Sequence, residues 1–212
     1  MDILLINPPW MTKDGNIWHG VKSTSPPLGL LYVAAYAERK GRSVRVMDVN
    51  AERLSFEDIE RFLAEHKPAF VGFTAVTAQI INTHRIAGII KRVSPESKVI
   101  IGGVHATALP DEVLRDRNVD YVIRGEGEKP FSAVVDGQAL ETIGGLSYRG
   151  ANALQPVVHN KMDEPIEDLD SLPPPAYHLI PFELYKPAIG AYRRLPAVNM
   201  TMTRGCPGKC TF

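Results

Sequence analysis

Cysteine is nearly missing from this sequence. Its 212 residues hold 2, Cys206 and Cys210, which lie together at the very end and cannot staple a secreted fold. An excess of positive charge is missing as well. Lys+Arg 24 against Asp+Glu 24 leaves a formal charge of zero, so no surplus exists to follow a phosphate backbone, and no nucleic-acid partner is expected. Long apolar runs are absent. The longest, Leu28 to Ala37, stops at Glu38-Arg39-Lys40 and is too short to span a bilayer. The amino terminus, Met1-Asp2-Ile3-Leu4-Leu5-Ile6-Asn7, carries neither a basic n-region nor a cleavage signal, so no secretory leader is read there. These absences describe a soluble, cytoplasmic protein without a transmembrane segment.

What is present is a regular alternation of elements. Asp2 to Ile6 reads as a buried strand halted by Asn7-Pro8-Pro9. Ser25 is placed to cap a helix opening with Pro26-Pro27, whose apolar face runs from Leu28 to Lys40 and whose left-handed stop is Gly41. Ser43 to Val49 is a second strand. Ser55 caps a helix over Phe56 to Glu65, with Phe56, Ile59, Phe62 and Leu63 at helical spacing. Ala69 to Phe73, Lys98 to Ile101 and Asp120 to Ile123 complete five strands, with a helix over Thr77 to Val93 and helix-compatible sequence after the last two. Such alternation implies right-handed crossovers and a five-stranded parallel sheet with helices on both faces. The expected class is α/β, flavodoxin-like (Rossmann-like), with strand order 2-1-3-4-5.

From Thr142 the pattern changes. Ile143 to Arg149 and Leu154 to Val158 read as a small hairpin around Gly150-Ala151-Asn152-Ala153. Asp163 to Pro175 is acidic and proline-rich, cannot be a helix or central strand, and reads as a linker leaving the first domain. Ala197 to Met202 looks like a new strand. The expected organisation is a ligand-binding domain over 1–141, a hairpin and linker over 142–196, and the start of something further over 197–212.

In sheets of this class ligands sit beyond the carboxyl ends of the strands, at the point where strand order reverses. Four segments fall there: Asn7-Pro8-Pro9-Trp10, Thr74-Ala75-Val76-Thr77, Gly102-Gly103-Val104-His105-Ala106-Thr107 and Gly125-Glu126-Gly127-Glu128. Glycine permits positive φ and close approach of a ligand to bare backbone, and threonine hydroxyls can donate to a ligand. Turn chemistry accounts for any one of them; four on one rim read as a binding site. On this reading Gly103→Val obstructs the ligand. The spacing also excludes ligands. No Gly-x-Gly-x-x-Gly follows the first strand, no Gly-x-x-x-x-Gly-Lys-Ser/Thr loop exists, and no Gly-x-Ser-x-Gly elbow occurs.

The end of the chain, Thr203-Arg204-Gly205-Cys206-Pro207-Gly208-Lys209-Cys210-Thr211-Phe212, sets two thiols in a glycine- and proline-containing loop. Iron–sulfur clusters are held by cysteine thiolates in such loops. This stretch resembles the opening of the Cys-x-x-x-Cys-x-x-Cys signature of radical S-adenosylmethionine enzymes, with the third cysteine expected one position beyond Phe212. Pro26-Pro27-Leu28-Gly29-Leu30, the Gly102–Thr107 run and Gly125-Glu126-Gly127-Glu128 resemble the amino-terminal cobalamin-binding domain of the cobalamin-dependent branch of that family. The resemblance implies the front part of a larger enzyme, with 197–212 opening its barrel. It also implies a methyltransferase or cyclase acting on an unreactive carbon of a small-molecule or lipid-like substrate.

The resemblance and the rim together nominate Pro8, Pro9, Trp10, Pro27, Leu28, Thr74, Thr77, Gly102, Gly103, His105, Thr107, Gly125, Glu126 and Gly127 for cobalamin. Cys206 and Cys210 are nominated for the metal. A 4Fe–4S cluster and S-adenosylmethionine are expected only in the full-length protein, and no catalytic residue is expected in this stretch. Cobalamin carriers with Asp-x-His-x-x-Gly after the first strand place its histidine on cobalt; here Asp14 and His19-Gly20 have a different spacing, so no protein imidazole is expected there. His105 is expected to start a helix beside the ligand, and His66, His84, His159 and His178 to be ordinary surface residues. The other class left open is a non-enzymatic flavodoxin-like module for a flavin, a nucleotide or a protein partner.

Overall fold

Short apolar runs that alternate with amphipathic stretches fold here as crossovers over one sheet. The computed structural model describes residues 1–10, 24–150, 157–188, 190–206 and 208. Strands β1 (Ile3–Asn7), β2 (Val44–Asp48), β3 (Phe70–Thr74), β4 (Lys98–Gly102) and β5 (Tyr121–Ile123) are all parallel. They stand in the expected order, β2-β1-β3-β4-β5. The sheet then continues. β6 (Leu146–Arg149) pairs antiparallel with β5, and β7 (Val157–His159) with β6, giving seven strands. The hairpin expected to follow the sheet therefore extends it, covering the edge that β5 would otherwise expose. Residues 151–156, which hold most of the expected turn and the start of its second strand, lie outside the described residues.

Alternation along β1 divides the core in two. Leu4 and Ile6 face helices α2 (Phe56–His66) and α3 (Ile80–Val93) together with the short α4 (Val104–Ala108) and α5 (Pro110–Leu114). Ile3 and Leu5 face α1 (Leu28–Arg39) and α6 (Glu128–Val135). All four β1 side chains are fully buried, as a parallel strand covered on both faces requires.

Local chemistry explains the helix ends. Ser55 Oγ accepts from Asp58 N and the Asp58 carboxylate accepts from Ser55 N, a reciprocal cap at the start of α2. Gly41, at φ +80, ends α1 as expected. Ser25 does not cap α1. The residue before the helix is Pro27, with no side-chain cap; Pro27 has no N–H to give Ser25, and that of Leu28 donates to Pro26 O at 2.9 Å. The Thr77–Val93 helix begins instead with a 3-10 turn over Thr77–Gln79.

Two carboxyl-terminal expectations change. The proline-rich stretch is followed by a segment that returns to the domain. Ala176 N donates to Leu31 O at 3.1 Å, and Ala176, Ile180 and Tyr185 are buried in the α1–α6 side of the core. Ala197–Met202 forms no strand, and Met200 and Met202 are exposed.

Asp136 ties the end of α6 to the turn after α1, accepting from Lys40 Nζ at 2.7 Å and Arg42 Nη2 at 2.9 Å. Those two bonds hold its carboxyl below the usual aspartate range. A lowered acid contributes stability above its unfolded range and loses it as pH falls through the folded value. Asp136→Asn should therefore lower urea stability at neutral pH by up to about 1 kcal/mol, the scale of partly exposed pairs. The difference should shrink as pH falls below the usual aspartate range and the folded-state carboxylate takes up its proton.

Candidate functional site

The carboxyl ends of β1, β3, β4 and β5 meet at one rim, and backbone bonds join their loops. Ala75 N donates to Gly102 O at 3.0 Å, and His105 N donates to Ala75 O at 3.2 Å. Gly103 makes that approach possible. At φ +94, a Cβ there would lie 2.8 Å from Ala75 N and 2.9 Å from Ala75 O, so no L side chain fits. Thr107 Oγ1 donates to Gly103 O at 2.9 Å and accepts from Gly125 N at 3.0 Å, stitching the β4 turn to the β5 turn.

Behind this rim lies a slot of about 140 Å³ between the sheet and helices α1 and α6. Leu5, Val33, Ile100 and Phe131 give it apolar walls. Elsewhere it is bare backbone at Gly29, Gly72, Gly102 and Gly127. A Cβ at Gly29 would meet nothing within 4 Å, and one at Gly102 only carbonyls at 3.7 Å. The slot offers room for a small, largely apolar group, with the Thr74 hydroxyl among the few polar groups of its lining.

The nominated residues divide into groups. Thr74, Gly102, Gly103, Gly125 and Gly127 line the slot. Pro27 and Leu28 start α1 immediately before slot residues Gly29 and Leu30. His105, buried in the first turn of α4, places Nδ1 3.2 Å from Thr77 Oγ1. Its Nε2 is buried without a hydrogen bond, 3.8 Å from Glu112 Oε1. Pro8, Pro9 and Trp10 stand on the rim but outside the slot. Their carbonyls accept from Gln79 Nε2, at 2.7 Å to Pro8, and from Asn82 Nδ2, at 3.1 Å to Pro9 and 3.3 Å to Trp10. Glu126 stands on the rim turn but outside the slot, accepting from Ile166 N at 2.8 Å and pairing with Arg204 at 3.2 Å. Cys206 is exposed; Cys210, Asp14 and His19 lie outside the described residues. Of the other histidines, His84 pairs with Asp116 at 2.8 Å, His159 with Asp111 at 3.3 Å and His178 with Glu38 at 3.0 Å. His66 Nδ1 lies 3.0 Å from Phe62 O.

A polar support went unread in the sequence. Asp48, buried at the end of β2, accepts from Asn7 Nδ2 at 3.0 Å, from Asn50 N and Ala51 N, and from Tyr185 Oη at 3.2 Å. Burial, and then the Asp48 carboxylate, push the Tyr185 phenol far above its usual range, so it remains a donor. Burial likewise raises Glu52, whose carboxylate accepts from Asp48 N at 2.8 Å. The signal for Gln79 and Asn82 was their helical spacing just after the β3 turn. Tyr185 had none, being far away in a segment read as linker.

Gly103→Val, read from sequence as obstructing a ligand, instead collides with the protein's own Ala75 backbone. The two glycines therefore separate cleanly by stability. Gly29→Ala should raise the melting temperature, worth roughly 0.5–1 kcal/mol in a helix. Gly103→Ala should lower stability by roughly 1–3 kcal/mol. Thermal unfolding of both variants checks the pair.

A doubly wound α/β domain with an apolar, glycine-backed slot opening at the carboxyl rim is a small-molecule binding domain in its geometry. The B12 binding domain family matches residues 18–135, and the chain belongs to that family. Over its full length it is 36% identical to an uncharacterised methyltransferase of Pyrococcus horikoshii, covering 45% of that protein. It is 29% identical to the anaerobic magnesium-protoporphyrin IX monomethyl ester cyclase of Rubrivivax gelatinosus, covering 38% of it. The chain thus spans less than half the length of these relatives. Its fold matches the cobalamin-dependent S-adenosylmethionine radical enzyme OxsB, solved with aqua-cobalamin and S-adenosylmethionine, with a TM-score of 0.69. That match has 15% identity and covers 86% of this chain and 25% of that one.

Proposed function

We propose that the slot takes the dimethylbenzimidazole tail of cobalamin. The chain is then the cobalamin-binding part of a radical S-adenosylmethionine enzyme, a methyltransferase or cyclase acting on an unreactive carbon. The observation that carries this reading is the slot, apolar on its walls and bare backbone at Gly29, Gly102 and Gly127, in a B12 binding domain. A flat aromatic bicycle fits such a space, while Thr74 and the loop amides remain at the mouth for polar groups of the ligand. Bound cobalamin supplies group-transfer chemistry at cobalt; the chain's own part is to bind, orient and exclude water. Val33 and Phe131 do the last of these within the slot.

The enzyme class rests on Arg204-Gly205-Cys206 through Cys210, where two thiolates would enter a 4Fe–4S cluster, and on the relatives' names. Residues 197–212 belong, on this reading, to the part that binds cluster and S-adenosylmethionine. The substrate is a small or lipid-like molecule held elsewhere in the full-length protein. A cytoplasmic setting follows from thiols needed in reduced form. Among the described residues no helix is long and apolar enough to cross a membrane.

Titration of the 212-residue chain with hydroxocobalamin and, separately, flavin mononucleotide tests the reading. Hydroxocobalamin should bind with a shift in its visible spectrum that His19→Ala leaves unchanged, and flavin should not bind. Gly29→Leu should weaken cobalamin at least about tenfold, since its side chain enters open slot, without loss of stability. Flavin binding in place of cobalamin would return the chain to the non-enzymatic module. Undiminished binding by Gly29→Leu would put the tail elsewhere.

A further inference from the structure

The segment carrying Cys206 has little to hold it. Residues 190–206 contain no helix or strand, and Met200 and Met202 are 77% and 88% exposed, so apolar burial does not anchor it. Yet its end lies against the rim. Arg204 Nη2 is 2.7 Å from Glu128 Oε1 and Nη1 is 3.2 Å from Glu126 Oε1. The guanidinium also sits 5.4 Å from the ring centroid of Tyr32. Glu128 is only 4% exposed. The other oxygen of Glu126 accepts from Ile166 N, so its carboxylate is already oriented. Asn199 adds contacts of its own, donating from its side chain to Pro26 O at 3.3 Å and accepting at its backbone oxygen from Tyr177 Oη at 2.5 Å. Between segment and turn remains a cavity of about 240 Å³, with Arg204 and Gly205 on one side and Gly125, Glu126 and Lys129 on another.

We infer that Arg204 is a positioning residue, a latch that fixes the Cys206-bearing segment onto the Gly125–Glu128 turn and so sets its distance from the slot. One planar fork reaches two carboxylates from two directions, which a lysine ammonium cannot reproduce. Burial alone would weaken the guanidinium's charge, but the bonds and charges of Glu128 and Glu126 outweigh it and hold Arg204 fully protonated. Without Arg204, Glu128 would be left as a buried carboxylate lacking this counter-charge, a costly state that favours opening of the turn. The purpose of the latch, to hold thiolates at a set place relative to a cobalamin, rests on the reading above; the latch itself does not.

Electron–electron distance measurement on the ligand-free chain tests it. Nitroxides are placed at Cys206, with Cys210→Ser, and at Glu65→Cys on the exposed face of α2. The parent should give one narrow distance distribution. Arg204→Met should broaden it at least about twofold, and Arg204→Lys, keeping charge without the fork, should fall between. The Glu126→Gln, Glu128→Gln pair should broaden it with Arg204 intact. If Arg204→Met fails to fold, Glu128→Gln with Arg204→Met removes the stranded charge and gives the same readout. A distribution as narrow in these variants as in the parent, or already broad in the parent, overturns the latch. No cobalamin is present in this experiment, so failed hydroxocobalamin binding overturns the functional reading alone.

Discussion

A chain leaving β1 must cross one face of the sheet to reach β2, while a chain leaving β3 must cross the other to reach β4. The two diverge between neighbouring strands, and that divergence opens the crevice at the rim. It also divides the helices unequally. Among the described residues, the α2–α3 face carries α2, α3 and the α4–α5 pair, whereas the opposite face carries only α1 and α6. Two helices do not cover five strands. The shortfall is met at one side by Ala176, Ile180 and Tyr185 from the returning segment. In the middle, over β3 and β4, it is left as the slot.

Glycine keeps that space open. A Cβ at Gly72 would meet Leu5 Cδ2 and Phe131 Cε2 at 2.7 Å, so β3 can lie beneath Phe131 only as bare backbone. Gly103 does a different task, letting the β4 turn close onto Ala75. The rim glycines thus separate by function: Gly72 and Gly103 let the protein pack against itself, while Gly29 and Gly102 leave room for something else.

The five strands and their order were legible because a parallel sheet buried on both faces needs continuous apolar runs, and Ile3-Leu4-Leu5-Ile6 and Val99-Ile100-Ile101 are such runs. The rim was legible for a related reason, since glycine and threonine directly after those runs mark strand ends. What the sequence could not show was destination. Prolines before Ala176 exclude a helix or central strand, but they say nothing about whether the chain leaves or turns back, and Tyr185 reaches Asp48 only because it turns back. Glu126 was legible as part of a rim turn but not in its direction, which Ile166 and Arg204 decide from distant parts of the chain. Ala197–Met202 has the apolar content of a strand, but a strand exists only with a partner.

Slot and latch are built on the same two helices. On α1, Gly29 and Val33 face the slot and Tyr32 lies under the Arg204 guanidinium. On α6, Phe131 walls the slot and Glu128, one turn earlier, receives Arg204. Residues three and four apart on a helix move as neighbours on one rigid face. A shift of α1 against α6 that widened the slot would therefore also move Tyr32 and Glu128, and with them the segment bearing Cys206. Because helices respond as rigid bodies within a close-packed interior, the spacing of these residues ties the segment bearing Cys206 mechanically to the slot.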